Sequence, residues 1–88
     1  MKNLVHEPIT GKYLRSKRAS AGIPGFALCR VAGISRGRLS EIETGIVAPR
    51  EEDLRRIDAA LDEIIRVRNW LQQLAAEAGL SSLSGVRL

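Results

Sequence analysis

The chain predicts an all-α fold of four or five helices, and three observations carry that expectation. Hydrophobic residues make up 44% of the 88 positions, yet Tyr13, Phe26 and Trp70 are the only aromatics, so a core must be built from Leu, Ile, Val and Ala, as suits packed helices. Ile57, Ala60, Ile64, Val67, Leu71, Leu74 and Ala78 recur at alternating steps of three and four, the period of one helix face. The stretch 23–45, IPGFALCRVAGISRGRLSEIETG, reads as two short helices joined by a tight turn at Gly33.

Residues 1–9 show no sustained period and are expected to form an arm. Thr10 has N-cap chemistry, so a first helix should start there and run through Leu14 to about Ser20, with Gly22 ending it. Pro24 is expected in the first turn of the second helix, where its missing N–H costs nothing. That helix offers Leu28, Cys29 and Ala32 for burial, and the third offers Leu39 and Ile42, with Ile34 between them. Ser35 stands as N-cap ahead of Arg36, Gly37 and Arg38, which gathers positive charge at the exposed start of the third helix. Gly45 stops that helix and Pro49 prepares the next start.

From Glu51 the chain reads as helical to Ala78, with Leu54, Leu61, Ile65 and Trp70 widening the apolar seam beyond what one partner helix covers. At Leu61–Glu63 two readings stand: a continuous helix, or a bend with Asp62 capping a new one. The domain expectation is a 1–9 arm, a unit of short packed helices over 10–61, a C-terminal helix over 62–79 serving dimerisation, and a loose tail over 80–88 after Gly79. The first half of the seam is expected in the core. Val67, Trp70, Leu71, Leu74 and Ala78 are expected at a homodimer interface.

Charge divides the chain. Residues 1–40 carry eight Lys or Arg against Glu7 alone, and residues 41–88 carry six against nine Asp or Glu, within an overall net charge of +4. Such polarity is a footprint for a polyanion, and together with the paired short helices it favours nucleic acid over membrane. The start MKNLVHEPIT lacks the apolar core of a signal peptide, Cys29 has no second cysteine to pair with, and no apolar run reaches spanning length, so a cytoplasmic protein is expected. Cys29 and His6 lie in no metal-ligand spacing, Glu51–Glu52 and Asp62–Glu63 are expected at helix starts, and no nucleotide-binding Gly motif occurs. No enzyme, metal or cofactor is expected.

Residues 12–65 resemble the Xre/Cro family of prokaryotic and phage repressors. The resemblance rests on a basic first helix (KYLRSKRASAG), the paired helices, the ending SEIETG, and a Pro-initiated next helix (PREEDLRRIDAAL). It implies a lambda-repressor-like helix-turn-helix domain whose third helix enters the major groove of double-stranded DNA. It also implies a structural ion pair between Arg18 and Glu43, which joins the first helix to the third. Within that frame Arg36, Gly37, Ser40 and Glu41 would read bases, and Ser35 would face bases or phosphates.

Arg36 can donate two hydrogen bonds to guanine O6 and N7 in one plane. Arg38, on another side of the helix, would meet phosphate, and Glu41 would either accept from cytosine N4 or restrain Arg38. Lys12, Lys17 and Arg50 are phosphate candidates, as are the N–H groups of Gly25 and Phe26 at a helix start. Gly25 replaces a frequent Gln of the family, and Gly37 costs about 1 kcal/mol of helix propensity relative to Ala. Phe26 and Val31 stand where the family pattern is polar, so the C-terminal helix or a partner must cover them. The function implied is a homodimeric, sequence-specific transcriptional regulator, a repressor on a palindromic operator. Two alternatives stand beside it: an antitoxin that binds its toxin through Phe26, Val31 or the C-terminal helix, and a protein-interaction adaptor with weak DNA binding.

Overall fold

A computed structural model describes residues 8–79 and shows four helices among them: α1 (Gly11–Ser20), α2 (Gly25–Ala32), α3 (Arg36–Thr44) and α4 (Glu51–Glu77). The 80–88 tail and all but the last two residues of the 1–9 arm lie outside the described residues.

The helix ends follow local chemistry. Thr10 Oγ1 accepts from the Tyr13 N–H at 3.1 Å and Ser35 Oγ accepts from the Arg38 N–H at 3.0 Å, so each side chain satisfies a first-turn donor that has no helical acceptor. Between α2 and α3 the chain reverses at Gly33, whose φ of 73° lies in the left-handed region that a side chain disfavours. The N–H groups of Gly33 and Ile34 both donate to the Cys29 carbonyl, at 2.8 and 3.1 Å, which closes the turn. Pro24 falls one place earlier than expected. It is the N-cap of α2, with an extended ψ of 150°, and its carbonyl accepts from the N–H groups of Ala27 and Leu28.

α1 and α2 each touch both α3 and α4, so they form the middle of the stack. Leu14, Leu28, Ile42, Ile57 and Leu61 are fully buried, one or more from each helix, and Ile23, Cys29, Ala32, Leu39 and Ala60 complete the core. Each large aliphatic side chain so buried contributes about 1.5–3 kcal/mol relative to exposure. One approach is closer than any side chain permits: a Cβ on Gly11 would stand 1.8 Å from the Ile42 carbonyl oxygen, so α1 begins against the backbone of α3. Nothing local in the sequence marks that contact.

α4 settles the question left at Leu61–Glu63. It is one continuous helix of 27 residues. Asp62 and Glu63 therefore lie inside it and not at a helix start. Leu61 is fully buried in the core, and the Asp62 carboxylate is taken by Lys17 of α1, which leaves it unavailable as a cap. The apolar seam divides along this helix. Ile57 and Ala60 are buried and Ile64 is partly buried against the core, whereas Val67 and Leu74 are 38% and 47% exposed. Among the described residues no helix is long and apolar enough to cross a membrane.

Candidate nucleic-acid interface

α3 buries Leu39 and Ile42 and turns Arg36, Gly37, Ser40, Glu41 and Thr44 outward. The helix is held from behind by a largely buried ion pair. Arg18 Nε and Nη2 donate to Glu43 Oε2 and Oε1 at 2.8 and 2.9 Å, and Arg18 Nη1 donates to the Ile23 carbonyl at 3.0 Å. The Glu43 side chain is 7% exposed and that of Arg18 21%, so this two-pronged pair is largely withdrawn from water. It ties α1 to α3 and to the start of the α2 segment at once.

Arg36 lies near Cys29 and lines a shallow cleft with Arg18, Gly25, Leu39, Ser40 and Glu43. The cleft brings the outer face of α3 beside the start of α2. There Pro24 offers no side-chain cap, so the N–H groups of Gly25 and Phe26 are free of helical acceptors. A helix start with free N–H groups next to an arginine on a neighbouring helix can hold an anionic oxygen. Burial pushes the Cys29 thiol up, against the opposing pull of the Arg36 charge, so Cys29 is an unreactive wall of this cleft.

Gly37 meets no protein atom: a Cβ there would find nothing within 4 Å. Its lack of a side chain therefore answers no packing need of the folded chain. Glu41 makes no ion pair with Arg38. Arg38 Nη2 lies instead 3.6 Å from Asp53 Oδ2, in the acidic first turn of α4. The sequence reading placed Glu51 and Glu52 at this helix start and did not single out Asp53 beside them.

The phosphate candidates are scattered. Lys12 is exposed on α1, and Arg50, 82% exposed at the start of α4, has only a loose contact to Glu52 at 3.8 Å. Lys17 faces elsewhere, with its ammonium bound at 2.7 Å to both Asp58 and Asp62 on α4 and lying near the Tyr13 ring. Burial alone would pull its pKa down, but the hydrogen bonds to Asp58 and Asp62 outweigh that, and Lys17 titrates well above the ordinary lysine range. The i,i+4 spacing of Asp58 and Asp62 was the sequence signal for this clasp, since it places both carboxylates on one helix face. The expected dimer residues Val67, Trp70, Leu74 and Ala78 are exposed and Leu71 is partly so. Among the described residues no group of three or more His, Cys, Asp or Glu is placed to hold a metal.

No curated protein and no solved structure gives a significant match to the chain. A family model described as a helix-turn-helix domain matches residues 10–63, which spans α1 to the middle of α4 and more than half of the chain. With α2, the Gly33 turn and α3 in the arrangement described, the chain belongs to the helix-turn-helix domain family.

Proposed function

We propose that the protein is an Xre/Cro-type, sequence-specific regulator of transcription that binds double-stranded DNA as a homodimer and represses by occupying a palindromic operator. The observation that carries the reading is the open face of α3 beside the uncapped start of α2. Arg36, Gly37, Ser40 and Glu41 form an exposed polar surface with none of the other described residues across it, and that surface is backed by the Arg18–Glu43 pair.

In this reading α3 lies in the major groove. Arg36 donates its planar fork to guanine O6 and N7, Glu41 accepts from cytosine N4, Ser40 serves either partner type, and Gly37 allows the helix backbone close to the base edges. Gly25 and Phe26 give backbone N–H groups to one phosphate, Ser35 stands at the edge of the same surface, and Lys12 and Arg50 add charge that sets affinity without reading sequence. Arg38 and Lys17 are already engaged by Asp53 and by Asp58 and Asp62, so they reach phosphate only by leaving those partners and contribute least. Two copies would place two α3 helices in successive major grooves, about 34–36 Å apart. An antitoxin role is the second reading, favoured only by the half-exposed Phe26 and Val31.

The test is Arg36→Ala on a selected duplex at about 0.15 M salt. Loss of one two-pronged base contact in each half-site should weaken specific binding about 5- to 150-fold per half-site, compounded over the two, and relax preference at one base pair in each. Unchanged affinity together with unchanged preference would remove the reading.

A further inference from the structure

One surface lies outside the proposed DNA-reading face. Phe26, Ala27 and Val31 of α2 and Ile64 and Val67 of α4 line a shallow groove whose walls are almost wholly apolar, with Arg30 and Glu63 at its rim. α4 stops short of covering it: Phe26 is 53% and Val31 50% exposed. Directly along α4 stand Trp70, 59% exposed, and Leu74, 47% exposed. On an ideal helix Ile64, Val67, Trp70 and Leu74 fall within an arc of about 120°, so groove and ridge share one side of the molecule.

We infer that this surface is the interface between two copies of the chain, with each α2–α4 groove receiving the Trp70 side chain of the other copy. The inference rests on the homodimer proposed above and adds α2 to the α4 residues expected at its interface.

Three arguments select a second copy as the occupant. The first is area. Phe26, Val31, Val67, Trp70 and Leu74 together leave on the order of 500 Å² of apolar surface exposed, at the upper end of the largest patch on ordinary monomers. A stable dimer needs about 800 Å² from each partner, of which some 65% is apolar in homodimers, so this patch with its polar rim supplies the required amount and the required composition.

The second argument is self-complementarity. Ile64 in the groove and Trp70 on the ridge lie equally far on either side of Val67, about 9 Å apart along the helix. The same side of the molecule thus carries both a recess and a projection, and in an isologous contact each copy can offer its ridge to the other's groove.

The third is charge. Arg30, at the groove rim, has no carboxylate partner among the described residues, and Trp70 presents an uncovered indole face. Brought together across the axis, the guanidinium stacks on the indole, the pairing most favourable for an aromatic ring and a cation.

The full chain reports on itself, because Trp70 is its only tryptophan. Sedimentation velocity and tryptophan emission are measured from micromolar to millimolar protein without DNA. The expected result is a monomer–dimer equilibrium with a blue shift of emission that follows the dimer fraction. Val31→Lys, whose added charge suits the last turn of α2, should weaken the dimer at least about thirtyfold, as loss of a central apolar contact does, and Trp70→Ala should do the same. Thermal melts of both variants confirm that the fold is kept. A dimer that forms without the blue shift, or that survives Val31→Lys, keeps the homodimer and overturns the groove contact. A monomer at every concentration overturns both and leaves the groove to a partner of different sequence.

Discussion

Glu43→Ala removes the carboxylate that holds Arg18, and the geometry sets the size of the loss. Two charge-assisted hydrogen bonds, at 2.8 and 2.9 Å, disappear, while Arg18 keeps its bond to the Ile23 carbonyl at 3.0 Å. Stranding one partner of a buried ion pair costs about 3–5 kcal/mol. The Arg18 side chain is 21% exposed, so water can recover part of its solvation and the lower end, about 3 kcal/mol, applies. In a domain this small that is a large share of a total of about 5–15 kcal/mol and lowers Tm by roughly 12–24 °C. Replacing both partners by apolar residues, as Arg18→Met with Glu43→Leu, strands neither charge and should stay within about 1 kcal/mol of the parent. Urea unfolding of the parent, the two single variants and the double variant, followed by far-UV circular dichroism, gives the complete cycle. Single variants that each lose less than about 1 kcal/mol, or a coupling energy below about 0.5 kcal/mol, would refute the claim that this pair locks α3 to α1.

Other outcomes follow from contacts elsewhere. Gly11→Ala forces a methyl group into the Ile42 carbonyl and should cost about 1–3 kcal/mol or shift the start of α1, in spite of alanine's better helix propensity, as measured by urea unfolding. Gly37→Ala meets no protein atom, so it should stabilise the free protein by up to about 1 kcal/mol and yet weaken binding to a selected duplex; a stabilised variant with unchanged DNA affinity would show that the backbone does not approach the groove there. Lys17→Met should cost about 1–2 kcal/mol near neutral pH, because it leaves the Asp58 carboxylate without its ammonium partner. Since the folded-state pKa of Lys17 is raised, the clasp contributes fully below the unfolded value of about 10.5 and is lost as pH rises above it. The difference in urea midpoint between parent and Lys17→Met should therefore hold steady up to about pH 10 and shrink beyond it.

What the sequence disclosed was local chemistry. Thr10 and Ser35 cap helices because their hydroxyls reach an N–H three residues on, and Gly33 turns the chain because glycine, with no side chain, takes a left-handed φ without strain; both are properties of a few adjacent residues. The burial of Leu28, Leu39 and Ile42 was legible for the same reason, as helix period. Contacts between distant segments were not. Asp62 has the chemistry of a helix cap, yet it sits inside α4, where its neighbour Leu61 is buried in the core and Lys17, 45 residues away, holds its carboxylate. The same holds for Gly11 against Ile42 and for Arg38 turned to Asp53, where the partner is set by how α1, α3 and α4 stack. The Arg18–Glu43 pair is the exception: residues 25 apart were joined beforehand, through family resemblance and not through spacing.

The central claim is that α3 reads a DNA sequence, and selection from a random pool of duplexes at about 0.15 M salt, with sequencing of the bound fraction, tests it most directly. The expected result is an enriched inverted repeat with half-site centres about one helical turn apart, and loss of that enrichment with Arg36→Ala. A bound fraction no different in sequence from the input pool would contradict it.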